Sequence, residues 1–64
     1  MIGENIKAAR IEAGLTQKQL AEKVDVNYQR IQKWEYGLAK PSIDGLKKLS
    51  VALGKTMEEL MGAD

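Results

Sequence analysis

Residues 16–37 contain two short amphipathic segments, and the break between them is too small for anything but a tight turn. Thr16 and Gln19 show the capping-box pattern that begins a helix. The apolar residues that follow lie at helical spacing on one face: Leu20, Ala21 and Val24. The sequence therefore predicts a helix over about residues 17–24.

The helical pattern breaks at residues 25–27. In this break Val26 can fill the core between two helices, and Asn27 is a favourable N-cap for the next one. That second helix is predicted over about residues 28–36 and ends at Gly37. Two helices joined by such a short turn form a helix-turn-helix, which presents the outer face of its second helix to a groove.

This pattern resembles the helix-turn-helix of the phage repressor and Cro class, the XRE family of DNA-binding transcription regulators. The resemblance rests on Leu15, Thr16, Gln17, Leu20, Ala21, Val26, Asn27, Ile31, Trp34, Glu35, Tyr36 and Gly37. It extends through residues 2–15 and 41–60, and so covers nearly the whole chain. It implies an all-α fold, a compact five-helix lambda-repressor-like DNA-binding domain. The family usually has Gly where this chain has Asp25, and Asp tolerates a left-handed backbone better than most residues.

The remaining helices follow from caps and apolar periodicity. A first helix is predicted over roughly residues 4–13. Ser42 caps a fourth helix that ends at Gly54, and Thr56 with Glu59 forms a second capping box that begins a short fifth helix. The apolar members of the fourth helix are Ile43, Leu46, Leu49, Val51, Ala52 and Leu53. No strand alternation interrupts these patterns, which predicts a wholly helical fold.

The composition limits the size and the chemistry of the protein. Sixty-four residues make one domain, so residues 1–64 are interpreted as a single helix-turn-helix DNA-binding domain. The absence of Cys and His excludes disulfides, thiolate metal sites and a Ser-His-Asp triad. The carboxylates are scattered singly, without the spacing of a metal site. We therefore predict that the chain is not an enzyme and needs no metal or cofactor, and no small-molecule ligand is evident.

The charge is distributed unevenly along a chain whose formal net charge is only +1. Residues 1–55 carry all ten Lys and Arg against six acids, whereas residues 56–64 carry three acids and no base. Such a chain can show DNA one positive face, because local potential steers association more than net charge does. The chain has neither an apolar run long enough to cross a membrane nor a secretory leader, so we expect a cytoplasmic protein. The family resemblance implies that it is bacterial or phage-encoded.

Two charges of opposite sign lie within apolar stripes. Arg10 interrupts the apolar face of the first helix, and Glu35 follows Ile31 by four residues on the inward face of the second motif helix. We predict that Arg10 and Glu35 form a buried structural ion pair, and the family resemblance implies the same pairing. The alternative is that Arg10 contacts DNA.

The outer face of the predicted helix at residues 28–36 holds the candidate base contacts. At about 100° per residue, Ile31, Trp34 and Glu35 point inward and the opposite arc is polar. The candidate base-reading residues are Tyr28, Gln29 and Lys33, with Gln32 as a weaker candidate. The Gln29 amide can pair with adenine, Lys33 can donate to guanine, and Tyr28 offers a ring to a thymine methyl group and a hydroxyl to a polar edge.

Other polar residues around the motif are candidate phosphate contacts. They are Gln17 at the start of the first motif helix, and Arg30, Tyr36 and Lys40 in and after the second. Phosphate contacts position a protein on DNA without reading its sequence. The alternative for all these residues is an ordinary solvated polar face, and for Tyr28 and Tyr36 it is the covering of a helix end.

The residues and the resemblance together favour a sequence-specific regulator of transcription that binds double-stranded DNA, of the repressor type. We expect it to bind as a homodimer to an operator with approximate two-fold symmetry, with recognition helices about 34–36 Å apart. The predicted dimer surface comprises the loop before the fourth helix and the region of the fourth and fifth helices. Met57, Leu60 and Met61 there supply more apolar surface than a short terminal helix can bury within one chain.

Two alternatives remain open at this point. The chain is either a complete small regulator or the DNA-binding part of a larger one. The scaffold could also serve as a protein-interaction module, similar to antitoxins and bridging factors that contain this domain. Steep salt dependence of DNA binding distinguishes a regulator from such a module.

Overall fold

Five α-helices follow one another along residues 1–62, the part of the chain that the computed structural model describes. They are α1 (Ile2–Glu12), α2 (Gln17–Lys23), α3 (Tyr28–Tyr36), α4 (Ile43–Leu53) and α5 (Met57–Met61). No strand occurs within this range, which confirms the predicted all-α class. None of its helices is long and apolar enough to cross a membrane.

Side-chain caps begin four of these helices at the residues that the sequence indicated. The Thr16 hydroxyl accepts a hydrogen bond from the Gln19 amide, and the Gln19 side chain accepts one from the Thr16 amide. Thr56 and Glu59 repeat this reciprocal pair in front of α5. The remaining two caps are Asn27 for α3 and Ser42 for α4. Each cap pairs amides of the first turn that have no partner within the helix.

The turn between α2 and α3 contains a left-handed residue other than glycine. Asp25 has a φ of 54°, in the region that Asp adopts more readily than most residues. Asp25 thus has the left-handed backbone for which the family usually has a glycine. α2 ends at Lys23, one residue before the predicted end, because Val24 forms its C-cap.

The first helix begins earlier than predicted. It runs from Ile2 to Glu12, whereas residues 4–13 were predicted. The Met1 carbonyl accepts a hydrogen bond from the Asn5 amide at 3.0 Å, which includes Gly3 in the first turn. A Cβ atom on Gly3 would lie 2.5 Å from the Trp34 carbonyl oxygen. Gly3 thus permits a close approach of α1 to the end of α3, a tertiary contact that the local pattern does not reveal.

One core lies between the helices. Its buried apolar members are Ile6, Ala9, Leu20, Ala21, Val24, Ile31, Trp34, Leu46, Leu49, Leu53 and Leu60. Every helix contributes to this cluster, so the orientation of α2 and α3 depends on α1, α4 and α5 as well. Three apolar residues of α4 lie outside it: Ile43 and Val51 are exposed, and Ala52 packs partly buried against the core.

The prediction that Met57, Leu60 and Met61 leave apolar surface of α5 unburied was wrong for one of the three residues. Leu60 is 1% exposed and belongs to the core, and Met57 packs partly buried against that core. Among the three, only Met61 is substantially exposed, at 47%. α5 buries more apolar surface than predicted because it packs against α1. The Asn5 side-chain amide of α1 donates to the Leu60 carbonyl at 3.1 Å.

Candidate nucleic-acid interface

α3 has one buried face and one exposed polar face. Ile31 and Trp34 are buried, at 0% and 4% exposure. The opposite arc carries four exposed side chains, those of Gln29, Arg30, Lys33 and Tyr36. A helix held from behind in this way presents its polar arc as a fixed surface, which is the form that a recognition helix needs.

Arg10 and Glu35 form the predicted ion pair. The Arg10 Nε lies 2.6 Å from one Glu35 carboxylate oxygen, and its Nη2 lies 3.1 Å from the other. The third nitrogen, Nη1, donates to the Leu15 carbonyl at 2.9 Å. All three guanidinium nitrogens are thus bonded within the protein. Arg10 does not lie on the exposed arc of α3, which argues against the alternative that it contacts DNA.

Gln17 joins the same network, which the sequence analysis did not foresee. Its Nε2 donates to Glu35 at 3.1 Å, on the oxygen that also accepts from the Arg10 Nη2. Gln17 is the first residue of α2, so one carboxylate connects three helices: α1, α2 and α3. The half-buried Gln17 amide keeps a second N–H group that this bond does not use. Helical periodicity gives no signal for the bond, because the two residues lie 18 positions apart.

A second unpredicted cluster surrounds Tyr28, the first residue of α3. The Gln32 side-chain amide donates to the Tyr28 hydroxyl at 3.0 Å. The ammonium nitrogen of Lys18, on α2, lies 5.4 Å from the centre of the Tyr28 ring, within the range of a cation–π contact. The bond between Tyr28 and Gln32 could have been predicted from the sequence, because residues four positions apart are neighbours on a helix surface. Nothing in the sequence identified Lys18.

Three cations lie around one groove beside α3, called the basic groove below. Arg30 and Lys33 from α3 and Lys40 from the following loop line this groove, together with Trp34, Ala39 and the α4 cap Ser42. Lys33 is a predicted base contact and Arg30 and Lys40 are predicted phosphate contacts, and the structure brings all three together. A shared groove concentrates positive potential at this edge of the motif.

The sequence profile of the helix-turn-helix family HTH_3 matches residues 6–60, which include all of the motif and all the buried apolar core residues named above. This chain belongs to that family. The suspected resemblance to XRE-type regulators is thereby confirmed. The family consists of transcription regulators and not of enzymes, in agreement with the prediction from composition.

Known members of the family match almost the whole chain. The transcriptional regulator ImmR of Bacillus subtilis is 35% identical over 63 residues, which cover 98% of this chain and 50% of ImmR. The curated relatives that match are longer, and this chain spans 30% to 56% of their lengths.

Two solved structures resemble the fold closely. The biofilm regulator SinR in complex with DNA has a TM-score of 0.91 and 36% identity, covering 97% of this chain and all of that one. The P22 c2 repressor with a synthetic operator has a TM-score of 0.93 and 31% identity, covering all of this chain and 97% of that one. The lambda-repressor-like fold is therefore confirmed.

Proposed function

We propose that this chain is a sequence-specific DNA-binding domain of a transcription regulator, which inserts α3 into the major groove of double-stranded DNA. The exposed polar arc of α3, anchored from behind by Ile31 and Trp34, carries this proposal. Support comes from the SinR and P22 c2 complexes, in which chains of the same fold, matched over nearly their full length, are bound to DNA.

The base contacts in this proposal come from the α3 arc. Gln29 and Lys33 are exposed and carry the groups that pair with adenine and guanine edges in the major groove. Tyr28 and Gln32 are half-buried at the side of the arc that faces α2. The N-terminal end of a recognition helix reaches deepest into the groove, so Tyr28 and Gln29 meet bases first.

Phosphate contacts in this proposal come from α2, from the arc itself and from the loop after it. Gln17 offers the N–H group that Glu35 leaves free. Arg30 and Lys40 line the basic groove, and Tyr36 is exposed at the end of the arc. Arg30 and Lys40 have no carboxylate within salt-bridge distance, since the ion pairs of residues 1–62 are those of Arg10 and Lys55. Such cations are available to replace the counterions of the DNA backbone.

The proposed regulator binds as a dimer through an apolar groove between the two ends of the described chain. Met1, Ile2, Pro41, Ile43, Leu46 and Met61 line this groove, together with Lys40. Met1, Ile43 and Met61 are exposed, so a second copy would remove apolar surface from water here. A dimer places two recognition helices on an operator with two-fold symmetry, and occupancy of a promoter by such a dimer represses transcription.

Selection of bound sequences from a pool of random duplexes tests the proposed function. We expect a two-fold-related consensus, and an affinity for it that falls steeply with salt, with a slope of about −0.9 per phosphate contact in a double-logarithmic plot. Equally weak binding to all sequences, without a steep slope, would favour a protein-interaction module on the same scaffold.

A further inference from the structure

We propose that Lys18, Tyr28 and Gln32 form one base-reading unit in which the Tyr28 hydroxyl acts only as a donor, so that one operator position excludes cytosine. The inference rests on the proposed DNA-binding function and specifies what one part of that site recognises. Gln32 sets the polarity of the hydroxyl, and Lys18 positions the ring.

The polarity follows from the hydrogen bond between the two α3 side chains. A phenol group can donate one hydrogen bond and accept one. The Gln32 Nε2 donates to the Tyr28 oxygen at 3.0 Å, which fills the accepting capacity. The group that remains for DNA is the hydroxyl proton. Both residues belong to α3, one turn apart, so the pair exists before DNA arrives.

Lys18 restrains the same ring from a different helix. Its ammonium nitrogen lies 5.4 Å from the ring centre, and the ring is partly buried against the core. Tyr28 is thus held by Lys18 over its ring, by the core against which it packs, and by Gln32 at its hydroxyl. A side chain that is already ordered loses little conformational entropy on binding, which sharpens its selectivity.

The edges of the four bases decide what a fixed donor accepts in the major groove. Adenine offers N7, guanine offers N7 and O6, and thymine offers O4 as acceptors. Cytosine offers only its N4 amino group, which is itself a donor. A donor placed against cytosine leaves two N–H or O–H groups facing each other without an acceptor, and such groups are costly when desolvated. The unit therefore rejects cytosine and tolerates the other three bases.

The test measures competition binding of the whole chain to duplexes that differ from its selected site at one base pair. We expect wild type to bind cytosine at one position about tenfold more weakly than the other bases, the size of a typical single mismatch. Gln32→Ala should remove most of this discrimination, because the freed hydroxyl oxygen can then accept from the N4 amino group. Tyr28→Phe should remove it as well, because the donor is lost.

The positioning role of Lys18 has its own readout. Lys18→Met should reduce the discrimination against cytosine, whereas Lys18→Arg, which preserves the cation over the ring, should retain it. In the Tyr28→Phe background, Lys18→Met should change the discrimination no further. Gln29→Ala is the matched control: it should alter the preference at a different position and leave the rejection of cytosine intact.

Three results would overturn the inference. They are wild type binding cytosine normally at every contacted position, Gln32→Ala retaining full discrimination, and Lys18→Met weakening all duplexes alike, as loss of a phosphate contact does. In each case a selected operator still exists, and the proposed function stands. A wild-type chain that selects no sequence at all overturns both.

Discussion

Arg10 and Glu35, 25 positions apart in sequence, form an ion pair with a 2.6 Å contact and only 11% and 0% of their side chains exposed. The pair fastens α1 to the inward face of α3 and also receives the Gln17 amide of α2. The two helices of the motif thus take their relative position partly from a carboxylate that has no contact with water.

Arg10→Met should destabilise the fold severely, because it leaves the Glu35 carboxylate buried without a cation. Loss of one partner of a buried pair costs about 3–5 kcal/mol, which approaches the whole stability of a domain this small. Urea unfolding followed by circular dichroism measures the change in the free energy of unfolding. Lys55→Met is the control, because its pair with Glu12 is exposed and removal should cost about 0–1 kcal/mol. Equal costs for both variants would contradict this account of the buried pair.

Gly3→Ala should destabilise the protein, although alanine normally favours a helix over glycine. The new Cβ atom would lie 2.5 Å and 2.7 Å from the carbonyl oxygens of Trp34 and Glu35, so α1 must move away from α3. Such overpacking typically costs about 1–3 kcal/mol, more than the helix propensity returns. Thermal unfolding measures the change, and Lys7→Ala on the exposed face of α1 should change stability little. A Gly3→Ala variant as stable as wild type would show that α1 shifts freely.

Lys33→Ala and Lys40→Ala should weaken DNA binding in different ways. Loss of Lys33 should relax the preference at one base pair by about 1–3 kcal/mol, whereas loss of Lys40 should weaken all sequences alike and reduce the salt slope by about one unit. Titrations of cognate and mismatched duplexes at several salt concentrations measure both effects. Because the two lysines line one groove, a uniform loss in Lys33→Ala would reassign Lys33 to the phosphates.

Two neighbouring residues of α5 should separate folding from dimerisation. Met61→Glu, on an exposed side chain, should weaken dimer formation on DNA while the unfolding free energy of the chain changes little. Leu60→Ala, in the core, should cost about 2–5 kcal/mol of stability. Light scattering with half-site and full-site duplexes measures the stoichiometry. Val51→Glu, on an exposed part of α4 outside the apolar groove, is the control, and an unchanged dimer in Met61→Glu would place the interface elsewhere.

The capping box of α5 should weaken in acid. Hydrogen bonds from the Thr56 backbone and side chain lower the pKa of Glu59 below its ordinary 4.5. A lowered pKa in the folded state stabilises the fold above the unfolded pKa, and this contribution is lost as pH falls through the folded value. Glu59→Gln should therefore show a smaller loss of stability on acidification below pH 4.5 than wild type. Glu58→Gln, which leaves the box intact, should retain the wild-type loss in the same series of unfolding curves.

The sequence by itself determined where four of the helices begin and where the turn of the motif lies. Thr16, Asn27, Ser42 and Thr56 each bond an amide three residues ahead, and such bonds form wherever the local chain turns into a helix. The exposure of the α3 arc was equally predictable, because helical periodicity fixes which residues share a face. The ion pair was predictable because a charge within an apolar stripe is costly to bury unless an opposite charge pairs with it.

Only the tertiary structure decided the contacts between residues of different helices, because these depend on how closely the helices approach one another. The close fit of Gly3 against the α3 backbone depends on how α1 packs on α3, and Leu60 is buried because α1 and α4 cover α5. The bond from Gln17 to Glu35 and the contact of Lys18 with Tyr28 likewise join residues of different helices. Local spacing specifies the direction of a side chain from its own helix, but the distance to a partner on another helix is set only when the whole core packs.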